Sequence, residues 1–168
     1  AGGEGVEEAA RRVRYQFLRE VAEHVGAPAV ATGHHADDNV ETILFRLFRG
    51  THLRGLAGMS AARALADGPV RLVRPLRDVR RAELEAFCRE RGLSWRHDPT
   101  NADTAGSRRN FLRHELLPLL RERLNPAVDE ALLRAAQAAG EAEALLAELA
   151  GSVLTAATAE SRPGRVVL

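Results

Sequence analysis

The chain lacks three things that would have placed it in other classes. It has one cysteine, Cys88, in 168 residues, so it can form no internal disulfide and no cysteine-based zinc or iron–sulfur site. It has no apolar run near the roughly 18 residues that a spanning helix needs, and no leader with a basic start, an apolar centre and a small-residue cleavage site. It has no lysine at all: its 24 basic residues are arginines, set against 23 carboxylates. The net charge of +1 therefore does not announce a nucleic-acid binder, and any basic footprint has to be local. Membrane proteins and small disulfide scaffolds are disfavoured, and a reducing cytoplasm is the expected location. With 45% hydrophobic and 28% charged residues, this is an ordinary globular composition, long enough for one domain or one and part of a second.

The apolar periodicity predicts alternating helices and strands. Val6 to Val25 reads as a helix with Val13, Phe17, Leu18, Val21 and Val25 near helical spacing, stopped by Gly26. Pro28 to Gly33 is a small-residue, β-branched run without alternation, as expected of a central parallel strand covered on both faces. From Asp38 to Arg49, residues Val40, Ile43, Leu44, Leu47 and Phe48 fit one helical face, and Gly50 ends it. Val70 to Pro75 reads as a short strand, followed by a helix over Val79 to Arg91 capped by Asp78 and closed by Gly92. Leu84, Phe87 and Cys88 are expected on its inner face, with Cys88 an inert core residue. Leu93 to Arg96 reads as a further strand, and His97 to Ser107 as a polar loop. A basic helix then starts at Arg108, with a kink or break expected near Leu117 because of Pro118. Asn125-Pro126 caps a long helix from Ala127 to Ala150, and a domain boundary is placed near Asn125. The final Arg165 to Leu168 reads as the start of a strand, and the whole as a fragment of a longer protein.

The chemistry concentrates in Gly33-His34-His35-Ala36-Asp37-Asp38, at the carboxyl end of a predicted parallel strand, the edge where open α/β sheets bind ligands. Two imidazoles and two carboxylates there could hold a Mg²⁺–nucleotide pair, handle protons or orient a cation. A second reading stands beside it. Asp38 with Glu41 forms a capping box, and Asp37 favours the helix dipole, so capping alone would account for the acids. Arg46, Arg49 and Arg54 flank a Gly-rich connection, Gly50 to Gly58, whose amides could approach an anion; a solvated helix end is the alternative. Arg109 and Arg113, four apart on one helical face, suit a phosphate fork or simple solvation. Composition and periodicity reach an α/β nucleotide-binding fold and no reaction.

Three ordered blocks go further: Glu7-Glu8-Ala9-Ala10-Arg11-Arg12-Val13-Arg14-Tyr15, Thr32-Gly33-His34-His35-Ala36-Asp37-Asp38-Asn39-Val40-Glu41-Thr42, and Arg49-Gly50-Thr51-His52-Leu53-Arg54-Gly55-Leu56-Ala57-Gly58-Met59. With Arg74-Pro75-Leu76, Asp98-Pro99-Thr100-Asn101 and Arg109-Asn110-Phe111-Leu112-Arg113-His114, they closely resemble the tRNA(Ile)-lysidine synthase family over about Glu4 to Leu124. The resemblance implies a PP-loop ATP pyrophosphatase: a partial Rossmann-like parallel sheet of the adenine nucleotide alpha hydrolase kind, with flanking helices, followed by the start of a helical domain. Residues 1–124 would then be the carboxyl-terminal part of the ligase domain, and 125–168 a helical linker and the start of a tRNA-binding domain. It further implies ATP and Mg²⁺ as cofactors, and as partners L-lysine and a tRNA(Ile) with a CAU anticodon, whose wobble cytidine is adenylated and then joined to lysine. A homodimer is compatible with it; a membrane partner is not.

Carried over position by position, the resemblance implies Asp38, Asp37 and His34 at Mg²⁺–ATP or the lysine amine, Asp38 being the metal-binding candidate. It places Arg14 and Arg113 with the catalytic groups, and Arg11, Arg109 and His35 with nucleotide or tRNA phosphates. Some positions depart from the family pattern. The Ser-Gly-Gly-x-Asp-Ser phosphate loop is not in this sequence, and Ala1-Gly2-Gly3-Glu4-Gly5 does not supply it, so this stretch alone is not expected to adenylate RNA. Asn39 stands where Gln is frequent, His52 where Gly is, and Phe111 where a basic residue is. PP-loop tRNA thiolases share a similar His-His-x-Asp-Asp block but need paired cysteines. A non-catalytic tRNA-binding module is the other alternative.

Overall fold

A computed structural model describes residues 6–66, 68–96, 108–157, 160–162 and 165–167, with side chains between 9 and 157. In chain order these form α1 (Val6–His24), β1 (Ala29–Ala31), α2 (Ala36–Phe48), α3 (Leu53–Leu56), β2 (Ala62–Ala64), β3 (Arg71–Val73), α4 (Arg81–Glu90) and α5 (Arg108–Phe111). A π-helical turn (Leu112–Leu116), α6 (Leu117–Arg123), α7 (Val128–Ala157), β4 (Glu160–Arg162) and β5 (Arg165–Val167) follow. The loop expected over His97 to Ser107 lies outside the described residues. No described helix is long and apolar enough to cross a membrane. The chain divides into two compact units, Ala1–Asn39 with Met59–Arg96, and Val40–Gly58 with His97–Leu168.

In the first unit a three-stranded sheet has the order β1-β3-β2. β1 runs parallel to β3, with Val30 opposite Leu72, and β2 runs antiparallel to β3, with Arg63 opposite the same Leu72. The expected parallel sheet is thus a mixed one, because β2 and β3 are joined by a hairpin in which the Leu65 amide donates to the Val70 carbonyl at 2.9 Å. β1 is not central among the described residues. It pairs with β3 alone, and Ala29 and Ala31 are exposed. The sheet is held by Leu72, fully buried with Val70, Leu65 and Ala22, and by Tyr15, Ala27 and Val30 packed against them. The stripe expected to face this core on α1 does not: Val13, Phe17 and Val21 are exposed, as is Val25 beyond its end, Phe17 by 61%. Small Ala22 and planar Tyr15 sit there instead, since they let the helix come close to the strands.

Gly26 ends α1 as expected, with φ of +69°, a conformation that glycine takes without cost. The start of α4 does not follow the reading of the sequence. Asp78 is exposed and paired with Arg77 at 2.9 Å, and the helix begins after Arg80, whose amide donates to Glu83 Oε2 at 2.7 Å. None of α4 is deeply buried: Cys88 is half-buried rather than in the core, and Phe87 is exposed beneath the guanidinium of Arg91. Leu93 to Arg96 forms no strand. All four residues are exposed, and none of them pairs with a described strand.

In the second unit Val40 and Leu44 of α2 pack with Leu112 and Leu117, and Phe45, Leu120, Leu132 and Leu133 close around them. Leu47 and Phe48, expected on the same face, are exposed. Ahead of Pro118, which has no amide hydrogen and crowds the turn before it, the helix widens into the π-helical turn, where the kink was expected. Asn125 Oδ1 accepts the Ala127 amide at 2.9 Å, the expected cap of α7. That helix runs seven residues past Ala150, through Gly151 and Ser152, with the Ser152 and Thr155 hydroxyls donating back to the carbonyls of Glu148 and Gly151. It meets α3 at small residues: a Cβ on Gly140 would lie 3.5 Å from that of Ala57. Glu41, only 3% exposed, accepts a 2.6 Å hydrogen bond from Arg113 Nε.

Leu72→Ala should cost about 2–5 kcal/mol of stability by urea unfolding, the range for emptying a buried leucine site; a change under about 1 kcal/mol would show that the sheet is not held there. Arg113→Met, which takes the guanidinium away from the buried Glu41 carboxylate, should cost about 3–5 kcal/mol, and adding Glu41→Leu should recover most of it. If the double variant is as unstable as the single one, the pair is not what the site requires.

Candidate functional site

The turn that joins β1 to α2 is built around helix capping. His35 occupies the capping position: its amide donates to Asp38 Oδ2 at 3.0 Å, while the Asp38 amide donates to His35 Nδ1 at 3.4 Å. This reciprocal arrangement lies three residues before the expected Asp38–Glu41 box, since α2 begins at Ala36 and leaves Glu41 a full turn inside. The His35 ring stands between two carboxylates, with Nε2 3.5 Å from Asp38 Oδ2 and Nδ1 3.5 Å from Asp37 Oδ2. Asp37 reaches the other way. Its Oδ2 accepts the Arg81 amide at 2.8 Å and its Oδ1 lies 3.3 Å from Arg80 Nη2, so it caps α4 from a distance of 44 residues in sequence. Both acids also sit in the first turn of α2, where the macrodipole favours negative charge.

His34 is tied to the sheet. Its Nδ1 shares a 2.9 Å hydrogen bond with Thr32 Oγ1, and the Thr32 amide donates to the Val73 carbonyl at 3.0 Å, extending the β1–β3 pairing by one residue. Gly33 faces open space, with nothing within 4 Å of where a Cβ would stand. A nucleotide phosphate could approach the backbone closely there. Asn39, one of the few fully buried polar residues, accepts the Met59 amide at 2.7 Å, and Arg77 Nη1 donates to the Met59 carbonyl at 3.1 Å. The shorter Asn39, where the family pattern often has Gln, is therefore sized to that single backbone partner.

The carboxyl-terminal half of Gly50 to Gly58 is closed to an anion. The amides of Gly55, Leu56, Ala57 and Gly58 all donate to carbonyls within the α3 turn, and Arg46 Nη1 donates to the carbonyls of Gly55 and Gly58 at 3.2 and 2.6 Å. Arg46 braces this loop. Arg49 lies against the Phe45 ring.

The structure brings His34, His35, Asp37 and Asp38 together with Arg80 and Arg81, which the sequence did not single out. The adjacent arginines ahead of the Ala-Glu-Leu-Glu run were the available signal, read as the inside of a helix. Arg11 and Arg14 are exposed on α1, Arg11 over the face of Tyr15 at 5.1 Å. In the second unit Arg109 is half-buried, and Arg113 is engaged by Glu41. The π-helical turn takes this pair out of the regular i, i+4 relation that a phosphate fork requires. Among the described residues no three His, Cys, Asp or Glu side chains converge as a metal site. A single partly exposed carboxylate such as Asp38 still suits Mg²⁺, which takes one or two carboxylates and completes its shell with water and phosphate oxygens.

Comparison with known proteins adds the lineage. The chain is 48% identical over 159 residues to the tRNA(Ile)-lysidine synthase of Pseudomonas fluorescens, covering 95% of this chain and 35% of that protein. It is 48% identical over 147 residues to the enzyme of the same name from Dehalococcoides mccartyi, covering 86% and 31%, and 45% over 154 residues to that of Geobacillus kaustophilus, covering 92% and 32%. The chain thus spans about a third of the length of these relatives. The model of the PP-loop domain matches residues 1–120, through β1, the histidine–aspartate turn and α4, and on that match the chain belongs to the PP-loop domain family.

Proposed function

We propose that the protein to which this chain belongs is an ATP-dependent ligase that converts the wobble cytidine of a CAU-anticodon tRNA(Ile) to lysidine, acting in the cytoplasm. The observation that carries the reading is the turn from Thr32 to Asp38. Two carboxylates each lie 3.5 Å from one imidazole at the carboxyl end of a parallel strand, beside a glycine open to solvent. In the reaction the cytidine C2 oxygen attacks the α-phosphorus of ATP and pyrophosphate leaves. The lysine ε-amine then attacks C2, the C2–oxygen bond breaks, AMP leaves, and the amine gives up a proton.

The chain's own groups suit those needs. Asp38 and Asp37 would orient the cationic lysine or share Mg²⁺ with the nucleotide phosphates, His34 supporting them from the β1 end. Mg²⁺, when bound, would offset negative charge on the phosphate oxygens. His35, 3.5 Å from each acid, would meet nucleotide or tRNA phosphates. Arg11, Arg14, Arg109 and Arg113 would meet phosphate oxygens of ATP, of the adenylated tRNA or of the tRNA backbone. Residues 1–124 would form the carboxyl-terminal part of the ligase domain, and 125–168 a helical linker leading to a tRNA-binding domain.

Asp38→Asn is the informative variant, because its amide oxygen can still accept the His35 amide and keep the cap. In the full-length protein it should lower lysidine formation by about 100-fold or more with an unchanged melting temperature. Near-normal turnover would remove Asp38 from the chemistry, and a wild-type protein that fails to attach labelled lysine to tRNA(Ile) would remove the whole reading.

A further inference from the structure

Tyr15 lies at the centre of an arginine cluster that, Arg11 apart, the ligase residues do not use. Arg12, Tyr15, Gln16 and Arg19 recur at i, i+3, i+4 and i+7 along one face of α1. With Arg63, Leu65 and Ala66 from β2 and the turn after it, they line a cavity of about 330 Å³. Arg11 and Arg63 place their guanidinium carbons 5.1 and 5.4 Å from the Tyr15 ring centroid. Arg74, only 5% exposed, lies against Tyr15 as well; its Nη1 donates to the Ser60 carbonyl at 2.8 Å, while its buried Nε has no partner. Burial first, then the nearby Arg63 and Arg11, lower its affinity for a proton. The Nε of Arg19, a residue of the cavity wall, is likewise buried without a hydrogen-bond partner, and it is ion-paired with Glu23 at 3.8 Å. Glu20 is occupied by Gln16 at 3.0 Å.

A row of arginines on a helix is usually just a solvated face. Here the Arg19 Nε, on a residue of the cavity wall, is removed from water without a hydrogen bond, an arrangement that costs free energy until an acceptor arrives. Three arginines on the wall, Arg12, Arg19 and Arg63, favour an anionic acceptor. It also has to present an apolar portion to Leu65, Ala66 and the ring edge of Tyr15, with oxygens reaching the guanidinium rim. With guanidinium groups already over the Tyr15 ring, a base is not expected to stack on it, so binding would engage sugar and phosphate and would carry no sequence information.

We propose that this cavity is a phosphodiester-binding site that seats a backbone segment of the RNA substrate. The inference rests on the tRNA reading above for the identity of the polyanion. Gln16→Glu puts a carboxylate among the arginines at an exposed helix position, and Arg63→Glu reverses a charge on the opposite wall. Binding of tRNA to the full-length protein, measured across salt concentrations, should weaken several-fold at low salt for each variant. The slope of log affinity against log salt should flatten by about 0.7–0.9 for each phosphate that the variant no longer neutralises, to the same extent with cognate and non-cognate tRNA. Arg63→Lys should retain most of the affinity. Wild-type affinity and slope in Gln16→Glu would overturn the site, as would a loss of ATP binding with tRNA binding intact, which would assign the cavity to free nucleotide. If Arg63→Glu fails to fold, Gln16→Glu decides. The two proposals fail separately: a wild-type protein that makes no lysidine but loses RNA binding in Gln16→Glu keeps the site without the reaction, and one that ligates lysine with Gln16→Glu at wild-type tRNA affinity keeps the reaction without the site.

Discussion

Because Asp37 and Asp38 are neighbours in the first turn of α2, their carboxylates leave the helix in different directions, and each ends on a different orphan amide. Asp38 returns to His35 and closes the start of its own helix; Asp37 crosses to Arg81 and closes the start of α4. The amides at a helix start have no partner inside the helix, so one of them left buried and unmet would cost as much as a lost hydrogen bond. The acidic turn is thereby fixed with respect to β1, through Thr32 and Val73, and to α4, through Arg80 and Arg81. Any chemistry at His34 to Asp38 is carried out by groups whose geometry is set by the backbone, which is the preorganisation that proton transfer and cation positioning require. Capping and catalysis were competing readings of these acids in the sequence. The structure shows the cap, and the same contacts would hold the acids in place for chemistry.

Much of this was legible. The helical period located α1, α2 and α7, Gly26 and Gly50 marked real helix ends, and the Val70 to Pro75 run contained β3. What was not legible had physical causes. β2 is Ala-Arg-Ala, which has no β-branched or aromatic residue; it exists because a hairpin returns it to β3. The face that α1 buries was misread because Val13, Phe17 and Val21 outweigh Ala22 in any sum of hydrophobicity, whereas the strand surface selects a small residue that allows close approach. The site residues themselves were readable only from the ordered His-His-Ala-Asp-Asp block. Their partners Arg80 and Arg81 lie more than 40 residues away, and pairing at that distance leaves no local pattern.

A chain without lysine places every positive charge on a planar, fork-shaped group, and the structure uses that shape repeatedly for internal bracing. Arg46 holds two loop carbonyls, Arg74 and Arg77 hold the segment around Met59 and Ser60, and Arg121 grips buried Asp129. Guanidinium groups keep their charge when partly desolvated and offer several donors at fixed angles, so they serve where an ammonium would lose its proton or its geometry. The near-zero net charge therefore conceals two populations of arginine: those that hold carbonyls and carboxylates inside each unit, and those, such as Arg11 and Arg14 on α1, that are exposed.

The widened turn at Leu112–Leu116 has a consequence for the phase of everything after it. Each residue of a regular helix advances the side chains by about 100° around the axis, so accommodating one surplus residue in a single turn resets the angular phase of α6 relative to α5. Arg113 lies inside that reset, aimed at Glu41, while Leu112 and Leu117 both still reach the apolar layer. Removing a single residue there would tighten the coil to its ordinary pitch, swing the guanidinium off its carboxylate and turn one of the two leucines outward. The length of this short stretch, more than its composition, is what natural variation in it would have to preserve.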